Sequence, residues 1–141
     1  MSTSEQSFLS RRLDPGAIPL VIGDVIGVGA LLSGGVVFHN GIDYLSNSPV
    51  SWALTIVPFL LGWILISPFI GAYSAGAAES AKAAIPLAVR AWIPAAILGL
   101  VLRASPLFSG GISLIFGGVI LVSGAVVLGL IRWLFFVLVR S

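Results

Sequence analysis

Asp24, Arg90, His39, Asp43 and Arg103 are the side chains whose chemistry is out of keeping with their neighbours. Asp24 lies in "IPLVIGDVIGVGALLSGGVVF", a run long and apolar enough to cross a bilayer, and Arg90 lies in a later apolar run. A carboxylate or guanidinium there must be paired, neutralised or turned to water, because an isolated charge at bilayer depth costs at least ~2.5 kcal/mol. His39 and Asp43 are four residues apart, which on a helix would give one shared face. Asn40 and Gly41 interrupt that helix, and with no third ligand no metal site is expected. The histidine reads as an interfacial cap or hydrogen-bond partner, with a pH-sensitive role open to a side chain that titrates near ~6.5.

Reactive constellations of other kinds are missing from the sequence. The glycines sit inside apolar stretches without the lysine a phosphate-binding loop requires. No serine occupies a nucleophile elbow, and no carboxylates are paired at hydrolase spacing. Without cysteine there is no disulfide framework, thiolate metal site or thiol nucleophile. The expectation is a protein without enzymatic activity, catalytic residues or cofactor.

Composition sets the medium in which these groups work. Of 141 residues, 58% are hydrophobic and 9% charged, and the mean hydropathy is +1.14. A water-soluble domain carries roughly 25% charged residues. The pI of 9.7 reflects a net excess of only two positive charges, scattered along the chain, so nucleic acid is not an expected partner and a lipid bilayer is.

Apolar runs of ~20 residues separated by polar breaks give four spans, residues 17–38, 50–71, 84–102 and 112–131, behind a cytoplasmic arm at 1–16. The segment 132–140, with Arg132 at its start, continues as a helical extension or an interfacial tail. "HNGIDYLSNSP" and "ASPLFSGG" supply turn chemistry, whereas "AYSAGAAESAKAA" is helix-compatible through most of its length. Unbroken apolar runs exclude a barrel, so the expected fold is an all-α, integral membrane four-helix bundle. The residues from 17 to 141 form its single transmembrane domain. Placing both termini in the cytoplasm puts Arg11, Arg12, Lys82, Arg132 and Arg140 inside and leaves Arg103 outside, in keeping with the bias of positive charge. Tyr73 and Trp133 then fall near the inner interface, and Tyr44 and Trp52 near the outer.

Depth suggests a partner for Asp24. From Ile18 the carboxylate is ~9 Å in, and from Ile85 Arg90 is ~7.5 Å in from the same side, at 1.5 Å per residue. The expectation is a charge-assisted pair between Asp24 and Arg90 across the first and third spans; the alternative is that Arg90 snorkels to headgroups while Asp24 is protonated or faces a crevice. Small residues mark packing faces: Gly23, Gly27, Ala30 and Gly34 in the first span, Ala84, Ala88, Ala91, Ala95 and Gly99 in the third, and Ser113, Gly117 and Gly124 in the fourth. Pro58, Pro68 and Pro94 each remove an amide donor and are expected to kink their helices.

Short motifs in a fixed order also carry a resemblance. "GDV" at Asp24, "FHNG" at His39, "PFLLGWIL" from Pro58, "GAY" at Gly71, "RAW" at Arg90 and "GLVLR" ending at Arg103 resemble the uncharacterised membrane family called domain of unknown function 3054 (DUF3054). The resemblance covers Pro19 to Trp133 and is similar in particular to the halophilic-archaeal type, with its proline-phenylalanine-glycine-tryptophan signature in the second helix. It implies four helices and a membrane location, and supplies no activity. Two readings of function follow for this multi-pass cell-membrane protein. One is a non-enzymatic accessory or scaffold subunit that packs through its small-residue faces, in a homodimer or larger complex. The other is a small homodimeric transporter or channel using Asp24 and Arg90.

Overall fold

The computed structural model describes residues 13–105 and 114–139. Four long helices dominate it: α1 (Ile18–Asn40), α2 (Pro49–Ile70), α3 (Ala81–Ala104) and α4 (Leu114–Leu138). Each has 22 to 25 residues, hence a length of roughly 33–38 Å at 1.5 Å per residue, enough for a hydrocarbon layer of ~30 Å. All four are long and apolar enough to cross a membrane. Arg11, Arg12, Arg140, Ser113 and most of the "ASPLFSGG" connection lie outside the described residues.

Local chemistry sets the helix ends. Asp14 accepts a hydrogen bond from the Gly16 amide and starts the short 3-10 turn Pro15–Ala17 that leads into α1. Gly41, at φ 87°, ends α1, with its amide donating to the Val37 carbonyl. A helical turn, Asp43–Asn47, bridges to α2, which begins at Pro49, where a missing amide hydrogen costs nothing. Gly71 closes α2 in the left-handed conformation, φ 91°, a geometry that suits a residue without Cβ. The segment after it, expected to be largely helix-compatible, instead folds as successive turns through Glu79, and α3 starts only where the Ser80 hydroxyl accepts from the Ala83 amide. Pro58, Pro68, Pro86 and Pro94 all lie inside continuous helices.

Neighbouring helices run antiparallel and close a ring: α1 packs on α2, α2 on α3, α3 on α4 and α4 on α1. The diagonal pairs, α1 with α3 and α2 with α4, make no backbone approach among the described residues. The alanine stripe of α3 is wholly buried and lets α2 come close. A Cβ on Gly62 would overlap the Ala95 carbonyl, and one on Gly99 would sit 2.6 Å from the Phe59 ring. On the other side of α3, Trp92 lies over Gly124 of α4 and its indole nitrogen donates to the carbonyls of Ile120 and Leu121, each at 3.1 Å. Phe59, Trp63 and Trp92 form the aromatic centre, with ring centroids 6.3 to 6.5 Å apart.

The α1 stripe divides into two halves. Gly23 and Gly27 press on Ile131, whereas Gly34 and Gly35 face open space. Outward faces are as apolar as the core: Ile22 and Ile26, Ile64 and Leu65, Ile93 and Ile97, Val122 and Val126 are all exposed. Helices that are apolar all round suit a lipid surround.

Candidate functional site

Asp24 is fully buried, and its partner is Arg132 rather than Arg90. The Arg132 Nη2 donates to Oδ2 at 2.7 Å and Nε to Oδ1 at 3.3 Å, a two-pronged pairing that matches the planar fork of the guanidinium to the carboxylate. The remaining nitrogen, Nη1, donates to the Ala84 carbonyl at 2.8 Å. Both charged side chains are 0% exposed.

Two aromatic side chains complete the network. The Tyr73 hydroxyl donates to Asp24 Oδ2 at 2.7 Å, and the Trp63 indole nitrogen donates to the Tyr73 oxygen at 2.6 Å. The Arg132 guanidinium also lies over the Tyr73 ring, 5.5 Å from its centroid. Tyr73 is therefore buried inside the bundle end rather than anchored at an interface. Burial, and then the neighbouring Asp24 carboxylate, raise its pKa well above the usual phenol value, so the hydroxyl remains a donor.

Each helix contributes through its own local geometry. Asp24 is six positions after Ile18 on α1, and Arg132 six positions before Leu138 on α4, so antiparallel packing brings them to one depth of ~9 Å. Gly23 and Gly27 flank the acid and allow Ile131, the neighbour of Arg132, to come in. The left-handed Gly71 turns the chain so that Ala72 and Tyr73 fold back beneath α2. The N-terminal segment holds that loop in place: the Asp14 amide donates to the Tyr73 carbonyl at 2.8 Å, and Leu13 bridges to Tyr73. Ser67 differs from all of these, since its buried hydroxyl has no partner among the described residues.

The pairing of Asp24 with Arg90 fails for a topological reason. The two residues are on diagonal helices, and Arg90 lies on an exposed face of α3. Arg132 follows Ile131, where the expected fourth span ends, yet it lies within α4. The apolar "WLFFVLV" beyond it is the signal that α4 continues and that Arg132 is inside the span. Its charge is neutralised by Asp24 and is not available at the end of the helix.

The polar set expected at the opposite end of the bundle is only partly assembled. Arg103, half-buried, lies over the Phe116 ring at 4.7 Å. It lines a pocket with His39 and Asn40, whereas Asp43 is exposed and is not part of the lining. The His39 ring meets Phe38 edge-on at 5.2 Å. Among the described residues no cluster of three or more His, Cys, Asp or Glu could hold a metal.

A bundle of four helices of membrane-crossing length, with an ion pair enclosed among the described residues, fits a multi-pass membrane protein. The chain belongs to the family described as "Protein of unknown function (DUF3054)", whose model matches residues 21–135. No curated protein and no solved structure matches it. Of the motifs that carried the resemblance, Asp24 from "GDV", Pro58, Phe59, Gly62 and Trp63 from "PFLLGW", and Tyr73 from "GAY" are buried, whereas His39 from "FHNG" and Arg90 from "RAW" are exposed and Arg103 from "GLVLR" is half-buried.

Proposed function

We propose that the protein is a non-enzymatic accessory or scaffold subunit of the cell membrane, with both termini cytoplasmic and of the halophilic-archaeal type. The observation that carries this reading is the closure of the ion pair. Asp24 and Arg132 are 0% exposed and every nitrogen and oxygen of the pair has a partner. An intramembrane acid is by default a transport group. This one is neutralised by a bidentate arginine and capped by a tyrosine, which suits a fixed cross-link between α1 and α4. Arg90 and Asp24 do not meet, so a gate built from those two residues has no support. The orientation rests on the sequence, in which Arg11, Arg12, Lys82 and Arg140 fall in the segments expected on one side of the membrane and Arg103 in one expected on the other. The signature Pro58, Phe59, Gly62 and Trp63 supports the halophilic type.

The partner in such a role is a second copy of the chain or a larger membrane complex, met through the exposed apolar helix faces. The test is extraction in mild detergent followed by mass analysis of the intact assembly, beside proton and ion flux in reconstituted vesicles. A defined complex with no flux in wild type or Asp24→Asn supports the scaffold. Wild-type flux that is lost in a folded Asp24→Asn variant refutes it in favour of transport.

A further inference from the structure

At the end opposite the ion pair, α1 and α4 part. Near Asp24 they are in close contact through Gly23 and Gly27 against Ile131, but Gly35 has nothing within 4 Å of where a Cβ would stand. The space between is a pocket of about 290 Å³ to which all four helices contribute. Its walls include Leu32, Val36 and Ile120, and its polar groups include Arg103, His39 and Asn40. No acid lines it among the described residues, and the only ion pair among them is that of Asp24 and Arg132.

The polar groups differ in what they have left to offer. The Ser123 and Thr55 hydroxyls donate to carbonyls of their own helices, Val119 at 2.6 Å and Ser51 at 3.0 Å. The Asn40 amide nitrogen is committed to the Val36 carbonyl at 3.1 Å. Arg103 has its guanidinium face held over Phe116, which leaves its in-plane N–H donors unpaired among the described residues. An oriented fork of donors at the edge of an apolar cleft is complementary to a carboxylate or phosphate carried on a hydrocarbon tail.

We propose that this cleft binds an anionic amphiphile from the membrane, its head at Arg103 and its apolar tail against Leu32, Val36 and Ile120. The volume is near the lower limit of small-molecule sites, roughly 300 Å³, so it seats the head and part of one tail. Gly35 supplies the room and Arg103 the charge recognition; His39 stands at the same rim.

Native mass spectrometry of the full chain tests this, with phosphatidylglycerol, phosphatidylcholine, oleate and inorganic phosphate as separate probes. The expected result is one retained phosphatidylglycerol or oleate per chain and no retained phosphatidylcholine. Retention should fall about tenfold or more, equivalent to ~1.4 kcal/mol, in both Arg103→Gln and Gly35→Leu. Arg90→Gln, an exposed arginine on the same helix, should leave it unchanged. Oleate retained without phosphatidylglycerol assigns a free fatty acid, and the converse a phospholipid. The proposal is overturned if phosphatidylcholine binds equally, if Arg90→Gln and Arg103→Gln lose binding alike, or if Gly35→Leu has no effect. It is also overturned if inorganic phosphate displaces the lipid equally well with and without Gly35→Leu. The two deciding substitutions are on different helices, so a folding defect in one leaves the other to decide.

Discussion

Arg132→Met puts the reading of the ion pair at greatest risk. The substitution deletes the donors at 2.7 and 3.3 Å from the Asp24 carboxylate and the one at 2.8 Å from the Ala84 carbonyl. Only Tyr73 is left to stabilise an enclosed acid. Removing one partner of a buried ion pair costs about 3–5 kcal/mol, well above the ~0.6 kcal/mol typical of a neutral interhelical hydrogen bond in a membrane. A loss of ~3 kcal/mol is about two powers of ten in the folded population. Asp24→Asn strands the guanidinium and should cost a similar amount. The double variant removes both charges and should recover at least ~2 kcal/mol of the summed loss, since uncompensated charge dominates each single effect. Arg90→Met should lie within ~0.5 kcal/mol of wild type. The assay is reversible unfolding in mixed micelles of mild detergent and dodecyl sulfate, followed by circular dichroism. A coupling below ~0.5 kcal/mol, or an Arg90→Met loss equal to that of Arg132→Met, would refute the assignment.

Other outcomes follow from single contacts. Because Tyr73 keeps its proton in the folded protein above the ordinary value of 10.0, stability should be level below that pH and fall as pH rises past it, where the unfolded chain ionises and the folded one does not; thermal melts of Tyr73→Phe should lack that part of the fall. Gly62→Ala drives a methyl group into the Ala95 carbonyl and should cost about 1–3 kcal/mol in the same micelle assay, whereas Gly34→Ala meets nothing and should be neutral or stabilising by up to ~1 kcal/mol. Ser67→Ala removes a buried hydroxyl without a partner and should raise stability by about 1 kcal/mol, read as a higher denaturant midpoint.

Four spans and the helical class were legible because apolar runs of bilayer length leave few alternatives. The anomaly of Asp24 was legible for the same reason, since a carboxylate among Ile, Val and Gly must be answered. Its partner was not. Matching depth narrows the choice to a layer of the bundle, but which helices touch depends on ring order, and the sequence does not print that order. Arg132 was also disguised by its place beside an aromatic tail that resembles a membrane boundary. Tyr73 was harder still. Its inward turn depends on the left-handed Gly71 and on the Asp14 amide that holds the loop, and neither feature has a hydropathy signature. The alanine stripe of α3 was readable and is wholly buried, whereas only the Gly23 and Gly27 half of the α1 stripe packs.

The two halves of the ion pair are separated by 108 residues of chain. During synthesis α1 is made with its acid unanswered, and the acid stays so until Arg132 of α4 has followed. Closure of the bundle is therefore tied to the arrival of α4, and a chain cut short of Arg132 leaves the Asp24 carboxylate without its guanidinium.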